Sequence, residues 1–349
     1  MVNKIKLGIV GLGRAGYGMH VHELQDFLDM YEIYAVCDII EERRNKVAAE
    51  SGAKAYADYA EMLKDPEIEV VAIATRSSDH YEHAMMALKA GKVVFLDKPM
   101  CTTYEEALDL VSYAKSLGEN KLFIRLNRRF EGMFNKVYDI INSGILGDVF
   151  SVTIRRNWFQ FRNDWQTSKQ YGGGMLNNWG PHIIDHTMKF CGGSYTDVMA
   201  DRRLVNSCGD CEDVIKAFFK GENGRIVDVE ISNACALPQA IYSACGTRGT
   251  LKEEGGKLKL KYIKPDIKKV KPVQDLSYGL GAYTINNNIE WVEETVSPYY
   301  SPLNETYKCV YEALRENKPY PITLDESIEI MRAINDIRLM STVTDHWVD

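Results

Sequence analysis

The chain has no apolar run of about 18 residues, so nothing in it reads as a membrane span. Basic charge is in deficit: 42 Lys and Arg stand against 49 Asp and Glu, a net charge of −7. That balance argues against nucleic acid as a partner, because phosphate binding wants a basic surface. The one lysine-rich tract, Lys252 to Lys271, is broken by Glu253, Glu254 and Asp266 and reads as solvated strand edges. Of eight scattered cysteines only Cys208 and Cys211 make a Cys-x-x-Cys pair, so no zinc site is completed. Reduced thiols in a cytoplasmic protein are the expectation. The first residues lack a small-residue cleavage site and read as a strand, not a signal peptide. No internal repeat or low-complexity segment is present.

What is present begins with a nucleotide-binding signature. Residues 4–10 read as a buried parallel strand, Gly11-Leu12-Gly13-Arg14-Ala15-Gly16 follows at once, and Ala15 to Met30 has helical apolar spacing. In such a turn Gly11 permits the bend, Gly13 lets a pyrophosphate approach the backbone, and Gly16 packs helix on strand. The next strand, 33–38, ends in Asp38, 22 residues after Gly16. A carboxylate there suits both hydroxyls of an adenosine ribose and repels a 2′-phosphate, favouring NAD over NADP. Arg14, Arg43 and Arg44 leave NADP open.

The alternation continues. A strand at 69–74 leads into Thr75 and a helix from about His80 to Ala90. A strand at 92–96 ends at Asp97-Lys98-Pro99, and a helix at 103–117 and a strand at 121–125 complete a parallel sheet. Ligands of such sheets bind at the carboxyl ends of the strands. The expected cofactor contacts are therefore Gly11, Gly13, Arg14, Ala15, Gly16, Asp38, Arg43, Thr75, His80, Asp97 and Lys98. Desolvation and a neighbouring nicotinamide would lower the pKa of Lys98 towards the working pH and fit it for proton exchange with a hydroxyl.

A length of 349 residues suits two domains, read here as 1–125 and 126–349. The fold class expected is α/β: an N-terminal Rossmann domain, then an α+β domain with a mostly antiparallel open sheet. Its strands are expected at 149–158, 197–206, 213–220, 225–234, 240–246 and 249–253, with closing helices near 302–316 and 325–342. All five tryptophans (Trp158, Trp165, Trp179, Trp291 and Trp347) lie in the second half. A loop carrying Trp158 and Trp165 runs just before Tyr171-Gly172-Gly173-Gly174, and its rings would suit the apolar face of a sugar. His182 and His186, at i and i+4, could offer two metal ligands, but no third is apparent and no metal is expected.

Gly11 to Gly16, Asp97-Lys98-Pro99, Asn127-Arg128-Arg129-Phe130 and Gly172-Gly-Gly…Gly180-Pro181-His182-Ile-Ile-Asp185 together resemble the glucose–fructose oxidoreductase/inositol dehydrogenase/MocA (Gfo/Idh/MocA) family over nearly the whole chain. The resemblance implies NAD(P)-dependent oxidation or reduction of a secondary alcohol on a sugar, glycoside or cyclitol. It implies Lys98 as the proton-transfer lysine, His182 as its partner at the reacting hydroxyl, and Asp185 as the group orienting substrate or histidine. It also implies a homo-oligomer joined through the second sheet. Asn178, Asp185, Trp158, Trp165 and Tyr171 are the expected substrate contacts. The family commonly has an aspartate where Asn178 stands, and asparagine carries no proton at neutral pH. Within the family the preferred reading is 3-oxidation of glucosides, plant O- or C-glucosides included. The alternatives are inositol 2-dehydrogenase-type oxidation, a glycosidase using transient C3 oxidation, and a non-catalytic NAD-binding protein.

Overall fold

The computed structural model describes residues 4–264 and 289–346; Trp347 and the part of the lysine tract from 265 onward lie outside them. Among the described residues the first sheet is built from β1 (Ile5–Val10), β2 (Tyr31–Cys37), β3 (Lys54–Tyr56), β4 (Val70–Ile73), β5 (Val93–Asp97) and β6 (Leu122–Arg125). All pair in parallel, in the order β3-β2-β1-β4-β5-β6. Helices α1 (Glu41–Ser51), α2 (Tyr59–Leu63), α3 (His80–Lys89) and α4 (Tyr104–Ser116) connect them. Every residue of β4 and β5 is buried, as expected of Val- and Ile-rich strands covered on both faces. A capping box of Thr103 and Glu106 opens α4, satisfying backbone donors left free in its first turn. Chain order reverses between β1 and β4, the crevice where doubly wound sheets take ligands.

Two local expectations change. Ala15 to Met30 is not one α-helix: Gly16–Val21 is π-wound and Leu24–Phe27 is a 3-10 turn. Gly16 and Gly18 are poor helix formers, and the widened turn accompanies a buried contact between His20 Nδ1 and the Tyr307 hydroxyl. Strand β2 starts at Tyr31 rather than 33.

After α5 (Gly132–Asn142), the second sheet contains β7 (Val149–Asn157), β8 (Tyr195–Leu204), β9 (Val214–Gly221), β10 (Ile226–Ser232), β11 (Tyr242–Gly246), β12 (Gly249–Glu254), β13 (Lys257–Ile263), β14 (Trp291–Val296) and β15 (Val343–Asp345). Its order is β14-β13-β12-β11-β7-β10-β9-β8-β15. Among the described residues only the β7–β10 and β8–β15 pairs are parallel, so the mostly antiparallel sheet is as expected. Strands β13, β14 and β15 were not among those expected; β14 and β15 are short and largely exposed, and β13 is an inner strand with Leu258 and Leu260 buried where the lysine tract suggested an edge. Helices α6 (Met175–Asn178), α7 (Gly180–Cys191) and α9 (Leu324–Met340) carry residues of its covered side. On the other side Phe150, Met199 and Phe218 are exposed. Helix α8 (Glu305–Arg315) returns to the first sheet, where Tyr307, Val310 and Ala313 pack with Ile5, Leu7, Ile9 and Phe95.

Candidate active site

The glycine turn follows directly from β1. Gly11 has φ +84°, and a Cβ there would come within 2.8 Å of the Ala74 carbonyl group; only glycine fits. Asp38, buried at the end of β2, accepts the Leu12 N–H at 2.7 Å and the Ile40 N–H at 2.8 Å. Both bonds hold the carboxylate against the turn while leaving it lone pairs for a ribose. The half-exposed Arg43 guanidinium lies 3.9 Å from Asp38 and 3.9 Å from the place a Gly13 Cβ would take. Arg14 is exposed and Ala15 half-buried beside them. A turn with glycine at 11, 13 and 16, followed by helical backbone and flanked by a fixed carboxylate, fits a dinucleotide.

Two expected cofactor contacts are braces as well. The buried His80 places Nδ1 2.7 Å from the Pro99 carbonyl oxygen and Nε2 3.3 Å from that of Thr75. It thereby joins the ends of β4 and β5. Burial holds its imidazole below the usual range. The Thr75 hydroxyl faces His83 Nδ1 at 3.2 Å. Asp97 accepts the Lys98 N–H at 3.1 Å and lies 3.5 Å from Arg125, which also grips both carboxylate oxygens of Glu23. Burial alone would raise the Asp97 pKa, but Arg125, His20 and Lys98 bring it below its ordinary value.

Lys98 stands at the centre, followed by a cis peptide bond to Pro99. Its ammonium donates to the Asn178 main-chain oxygen at 2.8 Å and to Asn178 Oδ1 at 3.1 Å. Burial, aided by Arg125, Arg128 and Arg14 and opposed by Asp97, lowers its pKa to about 8. His182 lies one turn beyond Asn178, buried, its Nδ1 without a hydrogen-bond partner among the described residues. Burial and the charges of Lys98 and Arg128 hold it well below the usual histidine range, so it is neutral at pH 7. The cluster offers an amine that titrates near working pH beside a neutral imidazole, which suits general acid–base work.

Aromatic rings pack beside His182. Trp158 and Trp179 meet with ring centroids 5.3 Å apart, and Trp179 meets His182 edge-on at 6.1 Å. The Arg128 guanidinium lies over Trp179 at 4.5 Å and pairs with Glu131. Trp165 is half-buried in a 3-10 turn, and Tyr171 stacks under Arg76 at 4.0 Å. The glycine run after Tyr171 is a seam: a Cβ on Gly172 would lie 2.7 Å from Thr102 Cγ2 and 2.9 Å from Ser77 Cβ of the first domain. One on Gly174 would strike the Glu212 carboxylate. Asn177 pins the run, donating to the Gly172 and Gly173 oxygens at 3.0 and 3.2 Å.

Asp185 is the expected substrate contact that the structure places differently. Arg129 grips both its oxygens, one at 2.8 Å, and the pair is buried. Its carboxylate braces α7 against the turn after β6. His186 sits in the core, stacked on Phe134 at 3.8 Å, with its nitrogens on Tyr242 and the Arg128 carbonyl oxygen. Among the described residues no group of three or more His, Cys, Asp or Glu could hold a metal ion. Sequence reasoning missed Gln166, whose Oε1 accepts from Asn178, and Arg128 as the arginine whose charge acts on Lys98 and His182. The Asn127-Arg-Arg-Phe motif does not say which arginine that is.

Residues 5–124 match the family described as "Oxidoreductase family, NAD-binding Rossmann fold", and residues 134–252 match the "GFO/IDH/MocA C-terminal domain". The chain is similar to scyllo-inositol 2-dehydrogenase (NADP(+)) IolW of Bacillus subtilis, 27% identical over 349 residues, 95% of this chain and 92% of that one. It is 33% identical to the inositol 2-dehydrogenase/D-chiro-inositol 3-dehydrogenase of Lactiplantibacillus plantarum over 144 residues, 41% of each. The solved NAD-binding protein from Listeria innocua superposes with a TM-score of 0.81 at 25% identity, covering 97% of this chain and 98% of that one. The WlbA dehydrogenase from Bordetella pertussis, solved with NADH and UDP-GlcNAcA, shares the fold at a TM-score of 0.76 and 21% identity, covering 97% and 96%.

Proposed function

This chain belongs to the Gfo/Idh/MocA oxidoreductase family and is an NAD-binding dehydrogenase of CH–OH groups; from that premise we propose that it oxidises, reversibly, a secondary hydroxyl on a cyclitol or sugar ring. The observation that carries the reading is the Lys98–Asn178–His182 cluster at the carboxyl end of β5. The turn from Gly11 to Gly16 would hold the diphosphate and Asp38 the adenosine ribose. When bound, the nicotinamide supplies the acceptor for the ring hydride. Lys98 Nζ takes the hydroxyl proton in oxidation and returns it in reduction. The neutral His182 hydrogen-bonds the same hydroxyl, and Trp158 and Trp179 cover the apolar face of the ring.

Two substrate readings have support. The name of the full-length Bacillus subtilis relative favours a cyclitol. The Trp158–Trp179 wall favours a pyranose, and with it 3-oxidation of glucosides to 3-keto sugars, O- and C-glucosides included. The exposed apolar side chains of the second sheet, Phe150, Met199 and Phe218, favour a homo-oligomer closed through that face. Eight unpaired cysteines fit a cytoplasmic enzyme. Incubation with NAD and a panel of inositols and glucosides, followed by NADH absorbance and product mass, tests the reading. Inositol turnover with no glucoside oxidised rejects the 3-oxidation reading; no turnover of any ring alcohol rejects the whole.

A further inference from the structure

The contacts of Lys98 are polarised from outside the cleft. Arg162 donates to Gln166 Oε1, Asn178 Nδ2 donates to that same oxygen at 3.2 Å, and Lys98 Nζ donates to Asn178 Oδ1 at 3.1 Å. A guanidinium has donors only, so the Gln166 atom facing Arg162 is the amide oxygen. That oxygen needs the NH2 end of Asn178 opposite it. The oxygen of Asn178 is then left towards Lys98, whose ammonium also has donors only. Running from one obligate donor to another, the chain leaves each amide a single consistent orientation.

Gln166 is itself anchored. Its N–H donates to the Asp164 carboxylate at 2.9 Å, and its main-chain oxygen accepts the Gly174 N–H at 2.8 Å. Asp164 also holds Arg162, through Nε at 3.1 Å and Nη2 at 2.7 Å. The loop carrying Trp165 is therefore wired to the amine through two amides.

We propose that Gln166 is a positioning residue for the proton-transferring amine: it keeps the Asn178 oxygen on Lys98, so that one remaining bond direction of the amine opens to the cleft. This rests on the reading of Lys98 given above. The charged or titratable groups facing Lys98 are Asp97 from β5, Arg125 from β6, Arg128 from the following turn, Arg14 from the glycine turn, and His182 from α7. None is altered by a change at Gln166, so a shift in the titration of Lys98 would report the amide.

The test is the 13Cε resonance of Lys98 in protein labelled with 13C-lysine, assigned by its loss in K98R and followed against pH. In Q166L the Asn178 amide is free to turn, the ammonium loses an acceptor, and the midpoint should fall by roughly half to one pH unit. Q166E keeps an acceptor and adds negative charge, so its midpoint should equal or exceed that of the wild type. Q166M, which also removes the amide without altering any charge, should shift it in the same direction as Q166L and serves if Q166L does not fold. A midpoint unmoved or raised in Q166L, or lowered in Q166E as in Q166L, overturns the proposal. Full turnover in K98A alongside the expected midpoints would instead refute the proton-transfer role and leave the positioning intact.

Discussion

Lys98 donates to two oxygens of one residue, the main-chain and side-chain oxygens of Asn178, at 2.8 and 3.1 Å. Neither oxygen is charged. The acid proposed for the site is therefore a lysine with its pKa lowered to about 8, held by an amide and not by a carboxylate at Asn178. Oxidation needs the neutral amine, so kcat/KM for the alcohol should rise with pH through that value. N178D would stabilise the ammonium and move the inflection upward by about one unit or more. A pH–rate profile of N178D checks this, and an unmoved inflection would count against Lys98 as the titrating base.

Asp38 faces the glycine turn with Arg43 beside it, a balance between a ribose diol and a 2′-phosphate. D38S removes the acceptor and the repulsion together. The ratio of kcat/KM for NAD to that for NADP should fall on the order of tenfold to a hundredfold. Initial rates with each cofactor measure it, and an unchanged ratio would remove Asp38 from the ribose.

Asp185 and Arg129 form a buried pair, with Glu326 a more distant partner at 3.4 Å. D185N leaves Arg129 short of charge and should cost about 3 kcal/mol of stability. Urea denaturation reads that loss, while KM for the ring alcohol should change little. A raised KM at full stability would restore the substrate role.

Gly172 combines φ +69° with close approach to Thr102 and Ser77. G172A should destabilise the protein by about 1–3 kcal/mol, again read by denaturation. Wild-type stability would show that the seam tolerates a side chain.

The sequence was most legible where local backbone chemistry and function coincide. The turn from Gly11 to Gly16, the strand-end Asp38 and the Lys98-Pro99 step each follow an apolar strand, and the periodicity locates their ends. The second sheet was legible through alternation, as in β9, where buried and exposed residues strictly alternate after Val214. Partners far apart in the chain were not legible. Nothing local to Asp185 names Arg129, 56 residues away, and nothing near His20 names Tyr307, 287 residues away. Nor does anything local to Gly172 and Gly174 name Thr102, Ser77 and Glu212, for which their missing side chains make room. Gln166 was invisible because its role is set by the direction of a hydrogen bond, which composition does not encode.

In the proposed reaction Lys98 exchanges the proton of a ring hydroxyl. The most direct measurement is the pH dependence of kcat/KM in wild type and K98A, with whichever inositol or glucoside of the panel is turned over, alongside NAD affinity by fluorescence titration. The wild type should show an inflection near 8, and K98A should lose it with a rate about 10²–10⁴ lower while NAD binding is largely kept. An inflection that persists in K98A at near-normal rate would contradict that role for Lys98.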